Sequence, residues 1–197
     1  MTAVYDHPHT IEDGAGSSLT FVGRVRDERG ELLEIESLAA PGAGPPMHVH
    51  HRQEEALTVR SGTIGYQTEG EAPKTAGPGS TVSFAPGVAH RFWNAGTDEL
   101  SLVGYVRPPE NFEYFLTRIY ESTRQHGGKR PGLYDAAFLL SRYRDEFDML
   151  EIPLPVRRLV MPLVARLGSA LRWDRRFPDA PHPVATPTAH DTRGPST

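Results

Sequence analysis

The chain has 197 residues, enough for one generous domain or for a barrel with a helical appendage. A formal charge of -4 with both signs interspersed leaves no broad basic field, which argues against a nucleic-acid partner. The absence of cysteine excludes disulfides, thiolate metal sites and a cysteine nucleophile, and fits a cytoplasmic setting.

Residues 1–13 carry no apolar run, so no signal peptide is expected, and no stretch reaches the roughly 18 apolar residues of a membrane span. With His7, Pro8, His9 and a Gly/Ser-rich end, residues 1–17 read as a mobile lead-in whose two histidines are solvated. From Leu19 the pattern alternates. Leu19, Phe21 and Val25 point one way and Thr20, Arg24 and Arg26 the other, as in a half-buried strand. Asp27, Glu28, Arg29 and Gly30 supply turn chemistry, and Leu33 with Ile35 begins the return strand of a hairpin.

The Pro- and Gly-rich residues 41–46 break pairing before a segment in which His48 and His50 stand two apart, so both imidazoles leave one face of a strand. Glu55, Leu57 and Val59 share a parity, and Ile64, Tyr66 and Thr68 continue a strand beyond Gly62. Residues 69–77 read as a polar loop. Val82 and Phe84 then alternate with Thr81 and Ser83, and after the turn at Ala85, Pro86 and Gly87 the residues His90, Phe92 and Asn94 share a face. Parity sets Tyr66, Phe84 and Phe92 in the interior near His90 as candidate walls of a substrate pocket, with Tyr105 a further aromatic; plain core packing is the competing role for each. A last strand over residues 100–106 ends at Pro108 and Pro109, which withdraw ladder donors.

Beyond Pro109 the apolar period changes from two to about 3.6. Phe112, Phe115, Leu116, Ile119 and Tyr120 form one stripe ending before Gly127, and Leu133, Ala136, Ala137, Leu140 and Tyr143 form another. Pro155 is placed to open a third helix reaching about Trp173, kinked at Pro162. Val156, Leu159, Val160, Leu163, Val164, Leu167 and Leu171 make its apolar side, and Arg157, Arg158, Arg166 and Arg172 its charge. That side is expected to pack on the barrel or on a second subunit, and its cationic flanks also suit a peripheral membrane contact. The expected organisation is a lead-in over residues 1–17, a β-barrel over 18–109, a helical extension over 110–176 and a disordered Pro/Thr-rich tail over 177–197.

The metal chemistry rests on His48, His50, Glu55 and His90. Three neutral imidazoles and one carboxylate suit a divalent first-row cation, and the residues do not choose among Fe(II), Mn(II), Ni(II), Cu(II) and Zn(II). Four protein ligands would close a tetrahedral zinc site but leave two positions on an octahedral ion. The alternative is that the histidines merely fill a barrel. Parity separates Glu54 from Glu55, and only Glu55 has the six-residue spacing to Gly62, so Glu54 is expected to face outward or make a hydrogen bond; His51, beside His50, is expected at the surface or behind a ligand, and Asn94 either orients a ligand or holds a strand end.

Gly42, five residues, His48, one residue, His50, four residues, Glu55, six residues and Gly62 are similar to the first motif of the cupins at every fixed position. Gly79, five residues, Ala85, Pro86, Gly87, two residues, His90, three residues and Asn94 resemble the second, with Ala85 in place of the family's first turn proline. The resemblance implies a mainly β fold, a cupin-type double-stranded β-helix or jelly-roll barrel followed by a C-terminal helical extension. It also implies a metal in the barrel mouth bound by His48, His50, Glu55 and His90, and a homodimer. The implied function is a metal-dependent enzyme acting on a small organic molecule, first of all an oxygen-using dioxygenase, in which Glu55 is a candidate acid or base. Isomerisation, cyclisation or decarboxylation without net redox change is an alternative, as is a metal-bearing small-molecule binding or sensor protein. No helix-turn-helix signature accompanies the barrel, which argues against a transcription factor.

Overall fold

The computed structural model describes residues 5–184. In chain order the elements are β1 (His9–Glu12), β2 (Ser18–Asp27), β3 (Gly30–Ala39), β4 (His48–His50), β5 (Glu54–Ser61), β6 (Ile64–Thr68), β7 (Lys74–Ala76), β8 (Thr81–Phe84), β9 (Ala89–Asn94), β10 (Leu100–Arg107), α1 (Phe112–Gln125), α2 (Leu133–Arg142), β11 (Phe147–Met149) and α3 (Met161–Ala170). The strands pair in two antiparallel sheets, one ordered β1-β2-β3-β10-β5-β8 and the other β11-β4-β9-β6-β7. The inner faces bury Phe21, Leu33, Leu57, Ile64, Leu100 and Leu102, each 0–1% exposed, in one continuous core. Burial of side chains of this size stabilises by about 1.5–3 kcal/mol apiece. This is the jelly-roll arrangement with helices appended at its C-terminal side.

The hairpin of β2 and β3 turns where expected, with the Asp27 side chain accepting from the Arg29 amide at 2.8 Å. The alternation of β2 does not run through. Phe21 faces Ile35 and Gly23 faces Glu34, so Val22 is an extra residue opposite a single step of β3. A one-residue bulge reverses parity beyond it. Leu19 and Phe21 are therefore buried, Val25 is turned out to 44% exposure, and Arg24 is turned toward Glu113 of α1, 3.7 Å away.

Four further expectations are corrected. The lead-in contains β1, and His7 Nε2 and His9 Nδ1 lie 3.1 and 3.2 Å from the Glu113 carboxylate, which is 1% exposed and demands partners. The polar loop of residues 69–77 holds β7, an edge strand too short to show a period. The extension is not purely helical, because β11 joins the second sheet beside β4. In the tail, Phe177 is buried and stacks on Phe138 at 4.7 Å, and the Tyr143 hydroxyl donates to the Pro181 carbonyl at 3.1 Å. Residues 185–197, the rest of that predicted tail, lie outside the described residues.

The third helix differs most from expectation. The chain opens with a π-helical turn, Val156–Val160, and runs directly into α3, whose first turn holds Pro162 where a missing N–H costs little. A short 3-10 turn, Trp173–Arg176, follows. The buried residues of α3 are Met161, Ala165 and Gly168, whereas Leu159, Leu163, Leu167 and Leu171 are exposed. Small side chains permit the closer approach: a Cβ on Gly168 would stand 2.0 Å from the Tyr134 ring of α2. Among the described residues no helix is long and apolar enough to cross a membrane.

Candidate metal centre

Strand register assembles the site. His48 and His50 leave the same face of β4, and β4 pairs antiparallel with β9 so that His48 lies opposite His90. Glu55 comes from β5 in the facing sheet. The turn before β9 is tied to β4 by the Gly87 amide, which donates to the His50 carbonyl at 2.7 Å; Gly87 has φ +79, a conformation glycine adopts without a Cβ clash. Gly62, at φ +86, closes β5 onto β6, and an added Cβ would meet the Leu100 backbone at 2.9 Å.

One donor atom from each of His48, His50, Glu55 and His90 lies within 4.8 Å of the others. All four residues are at least nine-tenths buried, with exposures of 8, 5, 4 and 1%. The imidazoles are oriented from behind. His48 Nδ1 donates to the Pro46 carbonyl and His90 Nδ1 to the Val88 carbonyl, each at 2.9 Å, which leaves the Nε2 lone pair of both rings facing the cluster. His90 Nε2 stands 3.0 Å from Glu55 Oε2. Adjacent ligands at about 2.1 Å from one octahedral ion are themselves about 3 Å apart.

His50 Nδ1 is buried without a hydrogen-bond partner among the described residues. A set of buried imidazole nitrogens converging on a carboxylate, with one ring nitrogen unpaired, fits a divalent cation by donor chemistry and by spacing. Burial lowers the pKa of His48 to about 4, with the charge of His90 adding, and burial lowers that of His50 to about 3. For Glu55 burial acts upward, but the His90 hydrogen bond and the imidazole charges prevail and hold the carboxyl at about 2. The cluster thus presents two neutral imidazoles and a carboxylate anion at neutral pH, the protonation states that ligation requires.

Aromatic rings close around it. Phe84 stacks on His90 at 3.9 Å and 8°. Tyr66 and Phe92 are cross-strand partners on the face that also carries His90, half-buried against the core. Phe112 at the start of α1 and Phe147 of β11 lie 5.5 and 5.7 Å from the His50 ring. Tyr120 of α1 packs on the same core, and burial pushes its phenol up to about 12, with the charges of Asp13 and Glu55 adding. Tyr105 is not part of this wall. It pairs with Ala56 on the outer face and donates to Glu54, which also accepts from Arg29.

Glu54 and His51 stay outside the cluster. Asn94 holds a strand end: its amide donates to the Ala39 and Asp98 carbonyls at 2.8 and 2.7 Å and accepts from the Gly96 amide. The sequence pattern did not single out Phe112 or Phe147 as neighbours of a ligand. Phe112 was legible only as one member of a helical stripe, and Phe147 carried no signal. Polar contacts hold both in place. The His51 amide donates to the Glu146 carbonyl at 2.8 Å, and the fully buried Glu146 carboxylate accepts from Asn111 Nδ2 at 2.6 Å.

Residues 36–105 match the sequence model of the family described as Cupin domain. The Hypocrea virens protein named "Probable oxidoreductase virH" is 30% identical over 61 residues, 31% of this chain and 28% of that protein. "Oxidoreductase iacF" of Pestalotiopsis fici is 26% identical over 85 residues, 42% of each. The chain thus spans less than half the length of these curated relatives. Among solved structures, a Klebsiella pneumoniae protein with a double-stranded β-helix domain aligns with a TM-score of 0.43 and 23% identity over 49% of this chain and 81% of that one. The cupin domain of Schizosaccharomyces pombe Cnp3 aligns with a TM-score of 0.39 and 13% identity, covering 51% and 66%. With its family match, its two facing sheets and its cluster of three histidines and one glutamate, the segment at residues 36–105 is a cupin domain.

Proposed function

We propose that the chain is a metal-dependent enzyme that uses oxygen to transform a small organic molecule, a dioxygenase of the cupin kind. One observation carries the reading: four buried donors converge, with two of the imidazoles set in advance by the Pro46 and Val88 carbonyls, inside an aromatic wall. The names of the two curated relatives, both oxidoreductases, point the same way. A divalent first-row cation held by His48, His50, Glu55 and His90 would supply Lewis acidity and a meeting place for an ionised substrate oxygen and dioxygen.

The chain's own residues bind, orient and exclude water. The neutral imidazoles of His48 and His50 give lone pairs without competing protons at neutral pH. Glu55 lowers the charge of the centre by one. Against the upward push of burial, the imidazole contacts hold its carboxyl at about 2, the ionised form that ligation needs. Tyr66, Phe84 and Phe92 form the apolar side on which a flat, conjugated substrate would rest.

The test is oxygen uptake by the iron-loaded protein in the presence of flavonols, β-diketones and catechols, followed with an electrode. Uptake that disappears in His50→Ala supports the reading. Substrate consumption under argon at an undiminished rate would replace it with isomerisation, cyclisation or decarboxylation. A ligand that raises the melting temperature without being converted would replace it with a binding role.

A further inference from the structure

The side of α3 that faces away from the protein is apolar. Leu159, Leu163, Leu167 and Leu171 are 70, 55, 58 and 63% exposed, and steps of four residues set them in one row. Val160 at 47%, Trp173 at 49% and Leu133 of α2 at 71% widen it. Soluble surfaces seldom offer contiguous apolar area of this kind unless something binds there.

The charge around this row is one-sided. Residues 154–176 contain six arginines and one acidic residue, Asp174, in a chain whose net charge is -4. Arg157 is paired with Asp148 and Arg176 with Asp135, while Arg158, Arg166, Arg172 and Arg175 are exposed near the two ends and along the length of the row. Arginine at the margins of an apolar face can lay its methylene stem along hydrocarbon while its guanidinium reaches phosphate.

We propose that this face docks on an anionic lipid surface, with the leucines and Trp173 entering the boundary between headgroups and acyl chains and the arginines meeting lipid phosphates. Two other occupants fit less well. A second copy laid on the same face across a two-fold axis would bring arginines against arginines, with Asp174 as the segment's one acid to offset them. Residues 185–197 contain no leucine, isoleucine, valine, methionine or aromatic residue with which to cover a leucine row. The proposal does not depend on the metal reading.

The experiment is flotation of the full chain with vesicles of phosphatidylcholine alone and of phosphatidylcholine mixed with phosphatidylglycerol, at low and high salt. The protein is expected to float with the mixed vesicles only, and salt is expected to release it. Leu163→Ser with Leu167→Ser should abolish flotation, and Arg158→Gln with Arg166→Gln should weaken partitioning roughly 25-fold. Circular dichroism and the melting temperature should be unchanged, because all four side chains are exposed. The proposal is overturned if the parent fails to float with anionic vesicles, if it floats equally with phosphatidylcholine, or if the leucine variant floats as well as the parent. It is also overturned if the parent stays with the pellet while sedimentation shows the leucine variant passing from two copies to one, which would make the face a subunit interface.

Discussion

The ring of Phe112 stands 5.5 Å from that of His50, so the first residue of α1 rests on a candidate metal ligand of the barrel. Phe147 approaches the same imidazole edge-on and stacks on Phe115 at 4.5 Å. The extension is therefore a wall of the site. Truncating Phe112 to alanine is expected to destabilise the fold by about 3–5 kcal/mol in urea denaturation, as for a fully buried ring. The same variant should lose its metal to a chelator faster than the parent in stopped-flow measurements; equal rates would show that the ring packs without shielding.

Metal content tests the cluster directly. His50→Ala combined with His90→Ala is expected to bring bound metal, measured by elemental analysis, close to zero. Glu55→Gln keeps the shape of the side chain but removes its charge, and should weaken binding at least tenfold, on the order of 1.4 kcal/mol. Full stoichiometry in the double-histidine variant would sink the assignment.

For the metal-free protein the histidines set a pH dependence. His48 and His50 have pKa values of about 4 and about 3 in the fold against an ordinary value of 6.5. Below pH 6.5 the unfolded chain binds protons that the folded chain refuses, so stability rises with pH across these windows and is lost on acidification. Each group contributes about 1.4 kcal/mol per pH unit within its window. Glu55, held at about 2 against 4.5, extends the same loss from pH 4.5 downward. Urea midpoints of chelator-treated protein should fall steadily below pH 6.5, and the slope should flatten in His48→Ala/His50→Ala.

Glu113 is 1% exposed and is met by His7, His9 and Arg24. Removing one donor from a buried carboxylate leaves it short of partners. His9→Ala is expected to cost about 1–3 kcal/mol in urea denaturation, and much less when Glu113→Gln is already present. Additive costs in that double-mutant cycle would deny the contact.

Much of the site was legible because its logic is local. A two-residue step along a strand sends His48 and His50 the same way whatever lies opposite, and parity puts Glu54 and Glu55 on opposite faces, with the six-residue spacing to Gly62 choosing Glu55 for the inner one. Tyr105 shows where such reasoning stops: its pocket role failed because nothing in its immediate sequence tells which face of β10 points inward. The bulge at Val22 has the same character. It reverses the faces of Arg24 and Val25, and its signature is a mismatch with β3 that β2 does not display alone.

The order of residues determined the alternation of the strands, the change of period after Pro109 and the shared face of His48 and His50, all of which follow from backbone geometry within a few positions. Tertiary packing decided the rest. It set β11 beside β4, docked His7 and His9 on Glu113, and placed Phe112 and Phe147 against His50. It also turned the leucines of α3 outward, because Ala165 and Gly168 permit a closer fit on Tyr134 than any leucine could. Which side of an amphipathic element is buried depends on the partner surface it meets, and that surface is assembled from residues far away in the chain.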